Sequence, residues 1–164
     1  MNSTGMRFVI VTILVALDQA TKLLAVSELP HGIPQPVWSW LNWTLLYNPG
    51  AAFSMFASAD GWQRYLLSGV SLLVSIAVAL WLLRLPGEQR LQGASLGLIL
   101  AGAVGNLIDR LRLGEVVDFI QVHAAGWYFP AFNLADSAIT CGVIGLLWLE
   151  LSLMRAERKK SPDG

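Results

Sequence analysis

Four long runs of apolar residues dominate the sequence, and the polar residues are gathered between them. The runs cover about residues 8–26, 65–83, 91–110 and 136–154. Each run is close to the roughly 20 residues that an α-helix needs to cross the hydrocarbon core of a bilayer. The pattern predicts an all-α integral membrane protein with four transmembrane helices, in a single domain over residues 1–164.

The first run also has a feature of signal peptides, because Arg7 precedes the apolar block 8–17. No small-residue cleavage site follows that block, and Asp18 and Lys22 lie in the second half of the run. We therefore interpret residues 8–26 as a retained first span.

Basic residues are distributed unevenly between the two sides that the spans create. With the amino terminus in the cytoplasm, seven of the 11 fall on the cytoplasmic side: Arg7, Arg84, Arg90, Arg155, Arg158, Lys159 and Lys160. Three fall outside: Arg64, Arg110 and Arg112. Because cytoplasmic loops carry the excess of Lys and Arg, we expect both termini to be cytoplasmic. Residues 155–164 are expected to form a loose, solvated cytoplasmic tail.

The connections over residues 27–64 and 111–135 are then the long outer loops, and irregular segments of this length are usually functional. Trp38 and Trp40 alternate as on a strand, which directs both to one face. Their position fits membrane anchors and also fits direct substrate contact. We expect a small β-containing subdomain here, at the outer membrane interface.

Composition narrows the range of functions. The chain is 55% hydrophobic and 13% charged, whereas a soluble domain has about 25% charged residues. The 11 basic residues are balanced by 11 acidic ones, so there is no basic field for nucleic acid. The single Cys141 excludes a disulfide scaffold.

Small residues recur along the third span. They stand four apart and therefore share one helical face: Gly93, Gly97, Ala101 and Gly105. Because small residues let helix backbones approach closely in a membrane, this face is predicted to pack against another span.

Charged residues in or beside spans are candidates for function, and some of them have a cation nearby. Asp18 and Lys22 are four apart and can pair on one helix face. Asp109 is next to Arg110 and three residues before Arg112, with Asn106 on the same face. We expect these acids to pair with those cations and to have a structural role.

Two other acids have no cation beside them in the sequence. Asp118 follows two valines, and Asp136 begins the fourth span, three residues after Asn133. Asp118 can be a solvated loop acid, and Asn133 with Asp136 resembles a helix capping box. The topology also places both acids on the outer side, where two carboxylates in a poorly hydrated site share one proton.

A carboxylate pair of this kind can hydrolyse a peptide, with one acid activating water and the other protonating the scissile carbonyl. Other chemistries have few residues to support them. The histidines are His31 and His123, without a His-Glu-x-x-His motif, so a zinc protease is not supported. No Gly-x-Ser-x-Gly motif is present.

Five sequence blocks resemble the lipoprotein signal peptidases, also called signal peptidase II, the membrane aspartic proteases of bacteria. The resemblance covers nearly the whole chain. The blocks are Asp18-Gln19-Ala20-Thr21-Lys22, Asn48-Pro49-Gly50-Ala51-Ala52-Phe53, Gly105-Asn106-Leu107-Ile108-Asp109-Arg110, Val116-Val117-Asp118-Phe119 and Phe129-Pro130-Ala131-Phe132-Asn133-Leu134-Ala135-Asp136-Ser137.

The resemblance implies cleavage of diacylglyceryl-modified prolipoproteins just before the lipid-modified cysteine, with Asp118 and Asp136 as the catalytic pair. It also implies residues that bind substrate or support the site: Asn48, Gly50, Asn106, Arg110 and Asn133. Structural polar roles fall to Asp18, Lys22 and Asp109. No metal or cofactor is expected, and globomycin is the expected inhibitor.

The resemblance further implies a location in the bacterial cytoplasmic (inner) membrane, with the active site toward the outer face, and we expect a monomer in contact with membrane lipids. The alternative function is a small proton-coupled transporter, since four short helices with buried acids also suit one. A transporter usually keeps its coupling acid near the bilayer midplane, whereas Asp118 and Asp136 are expected at one side.

Overall fold

The computed structural model describes residues 3–50 and 62–160, which form four long helices and one small antiparallel sheet. The helices are α1 (Ser3–Glu28), α2 (Trp62–Arg84), α3 (Arg90–Arg112) and α4 (Leu134–Lys160). Each of the four is long and apolar enough to cross a membrane. The predicted fold class is confirmed.

Each helix extends beyond the apolar run that predicted it. α1 already begins at Ser3, and α4 continues through Lys160. An apolar run marks only the hydrocarbon part of a span, whereas the helix can continue among lipid headgroups, where polar side chains are solvated. The expectation of a loose tail is therefore wrong for residues 155–160, and residues 161–164 lie outside the described residues.

α3 lies at the centre of the bundle and packs against the other three helices. In its most apolar window 61% of the residues are buried, against 22% in α1, 11% in α2 and 6% in α4. Large apolar side chains such as Leu73 and Leu147 are exposed on the outer helices. Because lipid tails are as apolar as leucine, these exposed faces are suited to a bilayer.

Small residues on α3 allow close contact with two neighbours. A Cβ atom on Gly105 would stand 2.5 Å from Oδ2 of Asp18 on α1. A Cβ atom on Gly102 would collide with the carbonyl oxygen of Ala135 on α4. Gly105 and Gly97 belong to the predicted face, and a Cβ atom on Gly97 would contact Val11 of α1. The predicted packing of this face against another span is therefore confirmed, and the missing side chain of Gly105 leaves room for a buried carboxylate.

Within the described residues, four strands form one sheet in the order β1-β2-β3-β4, with every neighbouring pair antiparallel. They are β1 (Gln35–Trp38), β2 (Leu41–Asn48), β3 (Val116–Ala124) and β4 (Trp127–Tyr128). β1 and β2 belong to the first long connection, and β3 and β4 to the second. The sheet therefore joins the two connections at one end of the bundle, where Leu46 pairs with Asp118.

The two tryptophans near the β1–β2 turn lie together on one face. The rings of Trp38 and Trp40 stack with centroids 5.4 Å apart and an interplanar angle of 22°. Both side chains are more than half exposed, at 60% and 51%. The prediction that the two side chains lie together is confirmed, but Trp40 lies in the turn after β1 and not on a strand. Their role as anchors or as a substrate-contacting surface stays a prediction.

Candidate active site

Buried polar side chains are concentrated where α1, α3 and α4 approach the sheet. Asp118 lies near the start of β3 and Asp136 in the first turn of α4. Because buried polar groups need hydrogen-bond partners, their contacts define the site. The buried members are Asp18, Lys22, Asn106, Asp109, Asp118 and Asn133.

Lys22 is the centre of one part of this cluster. Its Nζ atom lies 2.9 Å from Oδ2 of Asp18 and 2.8 Å from Oδ2 of Asp109. It also donates a hydrogen bond of 3.0 Å to Oδ1 of Asn106. The three N–H donors of the ammonium group thus have three acceptors, in a side chain that is 3% exposed.

The predicted Asp18–Lys22 pair is confirmed, but the expected partners of Asp109 are wrong. Asp109 pairs with Lys22 of α1, whereas Nη1 of Arg110 donates to Oγ of Ser71 at 3.3 Å. Adjacent residues on a helix do not face each other. Asp109 therefore points toward α1, and Arg110 points toward α2.

Asp18 and Asp109 also accept hydrogen bonds from backbone groups of neighbouring elements. Oδ1 of Asp18 accepts a hydrogen bond of 2.9 Å from the backbone N–H of Ala135 in the first turn of α4. Oδ2 of Asp109 accepts one of 3.2 Å from the backbone N–H of Val117 at the start of β3. The Lys22 cluster therefore fixes the chain immediately beside Asp118 and Asp136.

Gln19 also belongs to this cluster, although it is not among the predicted site residues. Its Nε2 atom donates to Oδ1 of Asp109 at 2.9 Å, and to Oδ2 of Asp18 and the carbonyl oxygen of Gly105, each at 3.2 Å. The available signal was an amide within an apolar span, next to a charged residue.

Asp136 is held by the predicted capping box, which is confirmed. Oδ1 of Asn133 accepts a hydrogen bond of 2.9 Å from the backbone N–H of Asp136. Oδ2 of Asp136 accepts one of 3.3 Å from the backbone N–H of Asn133. The other carboxylate oxygen accepts from Nδ2 of Asn106 at 2.8 Å, so a candidate catalytic carboxylate also caps α4.

Asp118 is 2% exposed, and two side-chain amides bind it. Its Oδ1 accepts a hydrogen bond of 2.7 Å from Nδ2 of Asn133, and its Oδ2 accepts one of 3.0 Å from Nδ2 of Asn48. Asn133 therefore contacts both candidate acids, and it brings Asp118 and Asp136 into one site.

Gly50 supports Asn48 from the end of β2. Its backbone N–H donates to Oδ1 of Asn48 at 3.0 Å, which leaves Nδ2 directed at Asp118. Gly50 has a φ of 114°, a conformation that glycine adopts without strain. A Cβ atom at this position would collide with Leu67. Residues 51–53 of the same sequence block lie outside the described residues.

Neither candidate acid forms a salt bridge in the described residues, although the charge of Arg110 acts on both of them from a greater distance. In residues 3–50 and 62–160, the salt bridges both involve Lys22, and none involves Asp118 or Asp136. Burial raises the pKa of Asp118 from 3.8 to about 7, the hydrogen bond from Asn48 opposes this rise, and the charge of Asp136 adds to it. Such a pair retains a proton at pH values where an ordinary aspartate has lost it.

The orientation of Asn106 links Lys22 to this pair. A lysine ammonium can only donate hydrogen bonds, so it requires the oxygen Oδ1 of Asn106 to face it. Nδ2 of Asn106 must then face Asp136. Nδ2 of Asn133 also donates to Oδ1 of Asn106, at 3.2 Å. Lys22 and Asn133 together therefore set which group of Asn106 meets the carboxylate, and Lys22 does so without contacting that carboxylate.

A cavity of about 400 Å³ opens on Asp136. Its wall includes Phe129 and Phe132, whose rings meet edge to face with centroids 6.1 Å apart. Ser137, Thr140 and Cys141 of α4 complete the lining. A carboxylate bordered by apolar surface in this way suits a peptide that carries apolar groups.

The family model described as signal peptidase (SPase) II matches residues 10–152. The chain is 50% identical over 149 residues to a lipoprotein signal peptidase of Acinetobacter baumannii. This alignment covers 91% of this chain and 84% of that protein. It is 46% identical over 147 residues to a lipoprotein signal peptidase of Polynucleobacter necessarius, and this alignment covers 89% of this chain and 90% of that protein.

Two solved structures, both of bacterial membrane enzymes studied by the in meso method, are similar in fold. One, at 2.3 Å resolution, has a TM-score of 0.80 and 30% identity, and the match covers 98% of this chain and 94% of the other. The second, at 1.9 Å, has a TM-score of 0.76 and 32% identity, with 90% and 93% covered.

Proposed function

Because this chain belongs to the signal peptidase II family, it is a membrane protease that removes signal peptides from lipoproteins, and we propose that it does so as an aspartic endopeptidase. One observation carries this proposal. Asp118 and Asp136 share Asn133 as a hydrogen-bond partner, and neither forms a salt bridge in the described part of the chain. Two such carboxylates can divide the roles of base and acid between them.

In the proposed reaction, ionised Asp136 accepts a proton from a water molecule whose oxygen attacks the scissile carbonyl carbon. Protonated Asp118 donates its proton to the carbonyl oxygen, which gives a neutral tetrahedral intermediate. The intermediate collapses as its hydroxyl proton returns to Asp118, and Asp136 donates its proton to the leaving nitrogen. Both acids regain their starting states, as general acid–base catalysis requires.

The other residues of the site have supporting roles in this proposal. Asn48 and Asn133 hold Asp118, and Asn106 holds Asp136. Gly50 allows close approach of a substrate backbone at the end of β2. Arg110 donates to the carbonyl oxygen of Asn106 at 3.5 Å, and its charge acts on Asp136 and Asp118; in this proposal it also contacts the substrate. Asp18, Lys22 and Asp109 maintain the fold around the site.

The proposed substrate is a diacylglyceryl prolipoprotein that is cut just before its lipid-modified cysteine. The sheet and the acids lie at one end of the bundle, and most of the basic residues lie at the other. By the excess of cytoplasmic Lys and Arg, the termini are cytoplasmic and the site faces the outer leaflet of the cytoplasmic membrane. There the acyl chains of the substrate remain in lipid during cleavage.

Membership of a peptidase family favours this function over the proton-coupled transporter. The location of the acids favours it too, because Asp118 lies on a strand and Asp136 lies at the start of a helix, whereas a coupling acid is expected near the middle of a span. We propose further that the enzyme acts as a monomer and is inhibited by globomycin.

The function is tested with a synthetic peptide that carries a signal sequence and a diacylglyceryl cysteine. We expect one cleavage, just before the modified cysteine, when the purified enzyme is incubated with the peptide and the products are identified by mass spectrometry. The same peptide without acyl chains is the control and should be cut poorly. Globomycin should inhibit the reaction. Cleavage elsewhere, or equal cleavage of both peptides, would contradict the proposal.

The pH dependence of kcat/KM tests whether Asp118 must be protonated for cleavage. Its pKa is raised from 3.8 to about 7, so the carboxyl keeps its proton up to about that pH and loses it above. We expect log(kcat/KM) to fall with pH above about 7, with a slope near −1. Asn48→Ala removes a hydrogen bond that lowers this pKa, so the alkaline limb should move to higher pH.

Asn42→Ala is the matched control for the pH profile. Asn42 is also a buried amide on β2, but its side-chain oxygen lies against His123. This variant should leave the alkaline limb in place. A limb that moves to lower pH in Asn48→Ala would show that Asp118 is not the titrating acid.

A further inference from the structure

A groove of about 640 Å³ lies between α1 and α3 at the end of the bundle opposite to the sheet. It is remote from Asp118 and Asp136, and the proposed proteolysis makes no use of it. Its lining changes in character along its length. Met6, Ile10, Leu14 and Leu98 supply apolar walls, and Arg7 and Arg90 supply cations.

Along both helices, the cationic lining residue comes before most of the apolar lining residues. From residue 6 to residue 14, α1 rises about 12 Å. Arg7 lies at one end of this stretch and Leu14 at the other. On α3, Arg90 is the first residue and Leu98 is two turns further on. Both helices therefore place their cation toward the end of the bundle and their apolar side chains toward its middle.

Arg7 is held in place by the turn between α2 and α3. Its Nη1 donates to the carbonyl oxygen of Leu85 at 3.0 Å, and its Nη2 donates to that of Pro86 at 2.8 Å. A Cβ atom on Gly93 would stand 2.6 Å from Nε, so the guanidinium lies directly against α3. Carbonyl groups fix the guanidinium but carry no net charge, so its positive charge is not neutralised.

The mouth of the groove has a net positive charge. In residues 3–50 and 62–160, neither Arg7 nor Arg90 takes part in a salt bridge. The nearest acid in the sequence, Glu88, is exposed and does not line the groove. A ligand that complements this surface has an anionic head and an apolar tail.

We propose that this groove binds an anionic phospholipid from the leaflet at that end of the bundle. The phosphate lies between Arg7 and Arg90, and one acyl chain runs along Ile10, Leu14 and Leu98. Guanidinium groups bind phosphate oxygens through strong, charge-assisted hydrogen bonds. In the proposed orientation this leaflet is the cytoplasmic one, where anionic lipids attract basic residues.

The test is native mass spectrometry of the purified protein with equal amounts of a phosphatidylglycerol and a phosphatidylcholine that carry the same acyl chains. The wild type should retain phosphatidylglycerol at least fivefold more, since each basic residue near anionic lipid contributes about this factor. Arg90→Gln should reduce the preference about fivefold. Arg84→Gln is the control, because Arg84 is exposed at the same end but lies outside the groove.

Ala94→Leu tests the apolar part of the groove. Ala94 is an exposed lining residue, so a larger side chain there should fill the groove and reduce retention of both lipids. Ala77→Leu, on an exposed face of α2 outside the groove, should have no effect. Binding of a phosphate group without an acyl chain would be insensitive to Ala94→Leu.

Three outcomes would overturn the proposal. The first is equal retention of the two lipids by the wild type. The second is an equal loss of preference in Arg84→Gln and Arg90→Gln, which would indicate a general effect of surface charge. The third is an Ala94→Leu variant that retains both lipids as the wild type does.

Discussion

Replacing either Asp118 or Asp136 with asparagine is expected to lower kcat/KM for a diacylglyceryl-cysteine peptide by about 10²–10⁴-fold. Asparagine has the shape of the acid but can neither accept a proton from water nor donate one to a carbonyl oxygen. The Asp118→Asn/Asp136→Asn double variant should be little worse than either single variant, because catalytic groups that act together are not additive. The measurement is peptide cleavage in detergent at saturating and limiting substrate.

The matched control is Glu115→Gln, three residues before Asp118. It removes a carboxylate from the same end of the molecule without touching the pair, and it should cleave at the rate of the wild type. Thermal unfolding of each variant separates lost chemistry from lost structure, since an unsatisfied hydrogen bond costs about 1–3 kcal/mol. Near-normal turnover by folded Asp118→Asn or Asp136→Asn would refute the aspartic mechanism.

Lys22→Met is expected to give the largest loss of stability of any substitution considered. It leaves Asp18 and Asp109 buried without their shared cation, and breaking a buried ion pair in this way costs about 3–5 kcal/mol. Because methionine has an unbranched apolar side chain similar to the stem of lysine, the loss of stability is attributed to the missing charge. The measurement is the free energy of unfolding in detergent micelles.

The triple variant Asp18→Asn/Lys22→Met/Asp109→Asn should recover much of this loss, because it removes all three buried charges together. Asp18→Asn alone should reduce stability and preserve cleavage per folded molecule. Arg112→Gln, an exposed cation at the end of α3, should change stability by no more than about 0.5 kcal/mol. Lys22→Met with the unfolding free energy of the wild type would show that the network contributes no net stability.

Cleavage by the folded fraction of Lys22→Met tests whether Lys22 also positions the amide of Asn106. Without the ammonium, only the 3.2 Å hydrogen bond from Nδ2 of Asn133 still holds Oδ1 of Asn106. The amide can then turn more readily and remove the donor from Asp136. A drop in kcat with an unchanged KM would support a positioning role for Lys22. An unchanged kcat would limit Lys22 to a structural role.

Features that depend on residues close in sequence were predictable. Hydropathy identified the four spans, because a bilayer requires a continuous apolar helix. A spacing of four identified the Asp18–Lys22 pair, and a spacing of three identified the Asn133–Asp136 capping box. The predicted helix ends were less accurate, because hydropathy identifies only the apolar part of a helix and not its continuation into solvated regions.

Contacts between distant segments were not predictable in the same way. Asp109 has arginines beside it in sequence, yet Lys22 of another helix is its partner. Gln19 cannot be identified as a site residue from the sequence, because its three acceptors come together only when α1 packs on α3. The hydrogen bond from Asn48 to Asp118 spans 70 residues and depends on the register of β2 with β3.

The sequence by itself determined the spans, the scarcity of charge and the two acids without a neighbouring cation, because these properties are local. Only the tertiary structure decided that one asparagine, Asn133, binds both acids and that Lys22 and Asn133 together orient the Asn106 amide facing Asp136. The reason is physical. A buried carboxylate takes its character from the donors and charges around it, and here most of these donors come from other helices and strands.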